Sequence, residues 1–445
     1  MATLTDSPAG TAAQVDSGPP PRLGATLGPL LLISLVISVG FTMLQSFGIM
    51  AESAKAELHL SDNALAVVQG VSAAISLVLF SIPIGIWVDR RSRVRILLLM
   101  AVIWTAGTLS TAAAGNVLIL FFARMFVGIG ATGALTAVLS LASDYCRPEQ
   151  RGRALLVPNL TKAAGVGAGF TIAGFLLQHF AAGGVPGLFG ASPWRSAQWA
   201  LGIGSAVLLL PILLLREPPR HEVEAGPGAP LRVLFAELWA RRAWVIPLFV
   251  GQVTVVMADA AAAIWASPLL QRTYHQQPGD FAGWLGAIVF LTGILGSIAG
   301  GIAADAGQKS RFRGGLMVGA LIAAVVGVPC ALFPLMPSVS GFAVAIGLLM
   351  LVGNVTGIVA SVALTVWLPN ELRGLAIGAF IAIAGLIGFG VAPSLVAGLS
   401  SFLGGEAHLA TAQAVVGVAV SIVSVLGFGL AMRNAPAAAT APPIR

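Results

Sequence analysis

The chain has 445 residues, 57% of them hydrophobic and only 9% charged, with a mean hydropathy of +0.93 and a formal net charge of +7. A soluble domain carries about 25% charged residues, so most of this surface must meet lipid rather than water. The two cysteines, one in a basic loop (Cys146) and one ending an apolar run (Cys330), exclude a disulfide framework and a cysteine metal site, and the basic clusters between apolar runs follow membrane topology rather than nucleic-acid binding.

Residues 1–24, rich in Ala, Gly, Pro, Ser and Thr, read as a disordered cytoplasmic tail. They lack the basic n-region of a signal peptide, and the apolar run after them is too long for an h-region. About 20 apolar residues cross a bilayer core of roughly 30 Å. Twelve runs qualify: 25–50, 63–88, 95–114, 116–142, 154–180, 197–215, 243–270, 282–306, 314–335, 340–367, 374–401 and 408–432. None shows the ten-residue alternation of a barrel strand. The expected fold is an all-α integral membrane protein of twelve transmembrane helices in two six-helix bundles, 25–215 and 242–432. A cytoplasmic linker, 216–241, joins them, and a second disordered tail follows at 433–445. The many glycines predict close helix packing, as at Gly296 and Gly300, four residues apart.

Polar residues are few enough to follow along the chain. Span 1 holds Gln45. After span 2 comes "GIWVDRRSRVR", with Gly85, Asp89, Arg90, Arg91, Arg93 and Arg95. Span 4 holds Arg124 and Thr132, and "PEQRGRA" with Arg151 follows it; span 5 holds Asn159 and Lys162. Span 7 holds Asp259 and, farther on, Trp265, which reads as an interface-belt residue. Gly301 and Asp305 close span 8, span 10 holds Asn354, and "PNELRGLA" with Arg373 follows. With the N-terminus in the cytoplasm, 19 of the 24 Lys and Arg lie on the cytoplasmic side. Only Lys55, Arg195 and Arg272 lie opposite, which fixes the expected topology by the positive-inside rule. Gly85, Asp89 and Arg151 recur 216, 216 and 222 residues later as Gly301, Asp305 and Arg373, so the halves repeat.

These residues carry a resemblance. The stretch from Gly85 through Asp89, Arg90 and Arg93 resembles the loop signature of the major facilitator superfamily, with Ser92 where that family usually has Gly and Val94 where it has a basic residue. The weaker copy at Gly301–Asp305 and the Arg-Gly pairs at 151 and 373 extend the resemblance over all twelve spans. It implies that Gly85, Asp89, Arg90, Arg93, Arg151, Asp305 and Arg373 form a conformational latch, with Asp89 near the start of span 11. The plainer reading of the arginines is topological anchoring. The first half is similar to the Spinster-like branch at "ESAKAELHLSD", "RMFVGIGATGA" and "LREPPRHEVE". Gln45–Ser46 and Ala131 replace carboxylates usual in that branch, so its lipid substrates and proton coupling do not carry over. The Gly-Pro signature of the superfamily's drug antiporters is missing from "GVGAGFTIAG" in span 5.

An ionisable side chain at the bilayer centre costs from about 3 to more than 10 kcal/mol and marks function by default. Arg124, Lys162 and Asp259 are the three, placed roughly 12 Å from the outer end of span 4, roughly 12 Å above the cytoplasmic end of span 5 and about 24 Å into span 7. Each has a structural alternative: Arg124 satisfied by backbone carbonyls, Lys162 snorkelling to the interface, Asp259 pairing with a cation. Gln45, Asn159, Thr132 and Asn354 are substrate contacts or helix glue. Two cations against one carboxylate favour an anionic substrate.

The function read from this pattern is secondary active transport by alternating access across a bacterial-type inner membrane. Proton-coupled uptake of a small carboxylate-type organic anion comes first. Export of an amphipathic or lipid-like molecule, multidrug efflux and a non-transporting sensor are the alternatives. No enzyme chemistry, metal or cofactor is expected, and the partners are substrate, protons and lipid, with the protein a monomer.

Overall fold

In lipid, each peptide N–H and C=O of a spanning segment must be satisfied within the protein, and a helix does so along its own length. The computed structural model describes residues 26–146, 150–182, 186–218, 238–310, 312–368 and 370–436, and the side chains at 151, 152, 370, 371, 374 and 375 are outside that description. Nearly all of both tails, most of the linker and the Arg151 side chain therefore lie outside the described residues. Among the described residues, twelve helices are long and apolar enough to cross a membrane, and there is no strand.

The helices are α1 Leu27–Leu58, α2 Asp62–Arg90, α3 Arg93–Ala113, α4 Val117–Asp144, α5 Arg151–Ala181 and α6 Pro193–Leu208, extended by a 3-10 turn Leu210–Leu214. The second half contains α7 Arg242–Arg272, α8 Pro278–Lys309, α9 Gly315–Leu335 and α10 Val339–Trp367. It ends with α11, which runs from Asn370–Ala384 through a π-helical stretch Gly385–Val391 into Ala392–Phe402, and α12 Leu409–Arg433. Side-chain caps set several starts: Ser92 accepts from Arg95 N, Asn116 from Ile119 N and Ser338 from Gly341 N.

Helix α1 runs eight residues past the expected end at 50. Its extra turns carry Glu52, Lys55 and Glu57, whose charge belongs beyond the hydrocarbon, and His59 in the left-handed region (φ 52°) closes it. Large apolar side chains such as Leu79, Ile82, Phe175, Ile302 and Leu426 stand outward, each at least 60% exposed, as only a lipid-facing surface tolerates.

Small residues bring the helices together. Gly107 and Gly130 let α3 and α4 approach to backbone contact, and Gly296 and Gly300 do the same for α8 against α10. The two halves meet along α2–α11 and α5–α8. There a Cβ at Gly70 would collide with the Phe389 carbonyl, at Gly167 with that of Gly286, and at Gly174 with Ala282. Gly70 and Phe389 both lie in π-helical stretches, Val67–Val71 of α2 and Gly385–Val391 of α11. Such bulges recur at functional positions in helices. These contacts between halves run from the arginine-poor end, which carries Lys55 and Arg272, to the middle of the helices, where Gly167 sits midway along α5. Toward the arginine-rich face, Gly85 and Gly301 would meet nothing within 4 Å.

Candidate functional site

The three intramembrane charges do not pair with one another. Arg124, 5% exposed, lies against α1: Nη1 donates to Met43 O at 3.3 Å, Nη2 donates to Leu44 O, and the guanidinium sits 5.1 Å from the centre of the Phe47 ring. Its Nε is buried with no partner. Lys162 stands on α5 with its ammonium 5.6 Å from the Phe41 ring centre and no ion pair to a described residue. Asp259 belongs to the second half. Its carboxyl is pressed on α10 where Gly353 has no side chain, and its Oδ1 is buried without a hydrogen-bond partner. Arg124 is thus largely satisfied by carbonyls, whereas Lys162 and Asp259 keep charge-bearing groups without counter-ions among the described residues.

The uncharged candidates are dispersed. Gln45 packs its Cβ on Gly169 of α5. Thr132, Asn159 and Asn354 donate back to carbonyls of their own helices, those of Gly128, Leu155 and Met350. Trp265 is not at an interface: it is fully buried and its Nε1 donates to Pro393 O at 3.2 Å. Mean position along a helix cannot distinguish a lipid-facing indole from one turned inward onto α11.

The charged loop after α2 divides its labour. Arg93 is 2% exposed; its Nε donates to Glu217 at 2.9 Å, its Nη1 pairs with Asp144 and its Nη2 donates to Pro218 O at 3.1 Å. Glu217 also accepts from Ser92 Oγ at 2.7 Å and from the N–H groups of Arg93 and Val94, capping the start of α3, where the helix dipole favours an anion. Burial works to raise the Glu217 carboxyl, but the hydrogen bonds from Val94, Ser92 and Arg93 prevail and hold it below the ordinary carboxylate value. Burial, with the Glu217 charge nearby, pushes the Tyr145 phenol up to about 12, and its hydroxyl donates to Arg216 O. Every one of these partners lies between α3, α4 and the chain leaving α6. Asp89, Arg90 and Asp305 are exposed, and Arg373 Nε donates to Leu368 O at 3.1 Å.

At the arginine-poor face, ion pairs join the two halves. Arg272 at the end of α7 reaches Glu52 of α1 at 2.6 and 2.8 Å and Asp62 of α2 at 2.8 Å through both terminal nitrogens. Lys55 donates to Asp62 at 2.7 Å and pairs with Glu406, which precedes α12. Asn63 adds a bond to Ser401 of α11 at 3.3 Å. Asp62, 5% exposed, is the hub. The sequence reading passed over Glu52, Asp62 and Glu406. A signal was present: Lys55, Arg195 and Arg272 are the only cations on that face, and each has a carboxylate partner, Arg195 pairing with Glu57 at 2.6 Å.

Comparison with known proteins agrees with this architecture. The family model described as Major Facilitator Superfamily matches residues 30–277. Protein spinster homolog 1 of Xenopus tropicalis is 27% identical over 269 residues, 55% of this chain and 48% of its own. The 3-(3-hydroxy-phenyl)propionate transporter of Escherichia coli (strain K12) is 30% identical over 211 residues, 46% of this chain and 47% of its own. The chain thus spans about half the length of these curated relatives. Among solved structures, a bacterial homolog of the human lysosomal transporter Spinster, inward-facing and occupied, superposes with a TM-score of 0.75. Its identity is 21%, covering 92% of this chain and 96% of that one. A D-xylose–proton symporter gives 0.63 at 16% identity, with 88% and 97% covered. These likenesses fix the fold, and the family match fixes the class: the chain belongs to the Major Facilitator Superfamily, and its homologues and fold are those of membrane transporters, not enzymes.

Proposed function

We propose that the protein is a proton-coupled importer of a small organic anion of the carboxylate type, working by alternating access as a monomer in a bacterial-type inner membrane. The observation that carries this reading is the pair of charges without counter-ions, the Lys162 ammonium beside Phe41 and the Asp259 carboxyl on Gly353. An unpaired ammonium in low dielectric gains most from a carboxylate, and an aromatic ring beside it suits an aromatic acid. An unpartnered buried carboxyl is a receptor for a proton. The likeness to a transporter of 3-(3-hydroxy-phenyl)propionate, itself an aromatic carboxylate, supports the same class.

In this proposal the arginine-rich face, with both termini, is cytoplasmic, and the two six-helix units 25–215 and 242–432 rock about the site, joined by the linker 216–241. The ion pairs of Arg272 and Lys55 close the outer face in the conformation described. Gly85, Asp89, Arg90, Arg151, Asp305 and Arg373 close the cytoplasmic face in the alternate one, for which the uncrowded Gly85 and Gly301 leave room. Arg93 supports that latch from within the first half. Arg124 positions α1 for substrate, and Gln45, Asn159, Thr132 and Asn354 are secondary contacts.

A second reading, export of a lipid-like amphiphile, is favoured by the likeness to Spinster proteins in sequence and in fold. Proteoliposomes separate the two. Uptake of 3-(3-hydroxyphenyl)propionate with acidification of the lumen, lost in Lys162→Ala and in Asp259→Asn, is the expected result. Transport of a single-chain phospholipid alone, indifferent to both substitutions, would establish the second reading instead.

A further inference from the structure

Asp259 is not the only buried acceptor on its face of α7. Gln252, 3% exposed, also has a buried side-chain oxygen, Oε1, with no hydrogen-bond partner. The two residues are seven apart, two helical turns, and so share one face at a separation of about 10.5 Å. That face lies on α10, and the two glycines opposite are themselves one turn apart. The Asp259 carboxyl occupies the place of a Gly353 side chain, and the Gln252 amide comes 3.6 Å from the position of a Gly357 Cβ. Buried polar oxygens are almost always paired, and each exception calls for an explanation. Two on one seam, with glycine sockets opposite, call for a shared one.

We infer that Gln252 and Asp259 form a proton-conducting seam inside the second half, in which Gln252 Oε1 holds water that carries protons between Asp259 and the arginine-rich end of α7. The inference rests on the proposed proton coupling and adds a residue and a route to it. The ligand is a water-borne proton. Hydronium gives up one O–H bond to form the O–H bond on Asp259 Oδ1 and leaves as water; release runs the same exchange in reverse, through the water held by Gln252, toward the start of α7.

No other charge competes for that proton. Helix α10 contains no Asp, Glu, Lys, Arg or His over 339–367, α11 none after Arg373, and α12 none before Arg433. Helix α1 has none before Glu52, α2 none between Asp62 and Asp89, and α8 none between Asp280 and Asp305. The seam also keeps the proton site apart from Lys162, which lies in the other half, so substrate and proton act on the same conformational equilibrium from separate bundles.

Infrared difference spectroscopy of the full-length protein in lipid, after a pH jump, tests this without a substrate. The protonated carboxyl of Asp259 gives a C=O band that is lost in Asp259→Asn. In Gln252→Met, similar in volume but lacking the amide oxygen, that band persists and its response slows about tenfold, while Gln252→Glu restores the rate. Gln252→Leu serves if Gln252→Met does not fold. An unchanged rate in the Gln252 variant, with the band still lost in Asp259→Asn, overturns the seam and leaves proton binding at Asp259 intact. A band that survives Asp259→Asn overturns the proton site itself, and the seam with it.

Discussion

The two faces of the molecule use the same chemistry to opposite ends. At the arginine-poor face, Arg272 and Lys55 pair with carboxylates across the boundary between halves, whereas at the arginine-rich face Arg93 pairs with Asp144 of the first half and with Glu217 just beyond its last helix. Both networks are partly or wholly buried, so breaking either costs several kcal/mol. The difference lies in which equilibrium bears that cost. In the proposed alternating-access cycle a pair across the boundary exists in one conformation and biases the conformational equilibrium. A pair within a rigid bundle exists in both and sets only stability. Glycine repeats the contrast: Gly70 and Gly174 are jammed between halves on one side, while Gly85 and Gly301 stand free on the other.

Removing Arg272 should separate the faces most sharply. Arg272→Ala leaves Asp62 and Glu52 facing each other with Lys55 alone, and a loss of about 3 kcal/mol from the closed state shifts the opening equilibrium on the order of 100-fold. Labelling of an introduced Ala282→Cys, 2% exposed where it meets Gly174 of the other half, by a membrane-impermeant maleimide should rise accordingly. Arg93→Ala should cost a similar amount, about 3 kcal/mol, in stability, read as a fall in melting temperature with the Ala282→Cys labelling rate unchanged. Equal labelling in both variants would mean that the networks do not differ as argued.

Steric wedges come next. Gly70→Leu places a side chain against the Phe389 carbonyl and should open the arginine-poor face, whereas Gly85→Ala meets nothing in this conformation and should leave melting unchanged. In the proposed mechanism Gly85→Ala still slows transport, because the crowding arises only in the alternate state.

Acid gives the smallest effect. Glu217 is held below its ordinary value in the folded protein, so its contribution is present above the unfolded value, about 4.3, and lost as pH falls through the folded one. Discounted for its partly exposed side chain, this is about 1 kcal/mol. Below about pH 4 the melting temperature should drop less in Glu217→Gln than in the unmodified protein.

Much of this was legible in the sequence. The twelve spans follow from length and hydropathy alone, because lipid leaves the backbone so little choice, and Gly296 and Gly300 pack α8 on α10 as their spacing suggests. What a linear reading misses is direction around the helix. Trp265 reads as an interface residue and is buried on Pro393. Gln252 attracts no attention beside Asp259 until both are seen to share the α10 face. Glu52 and Asp62 look like solvated termini because Arg272, the cation they share, lies more than 200 residues away. The lone cations of the arginine-poor face were the available clue.

The most direct test of the account is the distance across the arginine-poor face. Spin labels at Asn63→Cys and Ser401→Cys, whose parent side chains are 3.3 Å apart across the halves, report it in a background with Cys146 and Cys330 replaced by Ala. A single short distance is expected in the ligand-free protein and a dominant longer one in Arg272→Ala, with Arg93→Ala unchanged. The same short distance in all three would contradict it, because the ion pairs of Arg272 would then not be what holds that face closed.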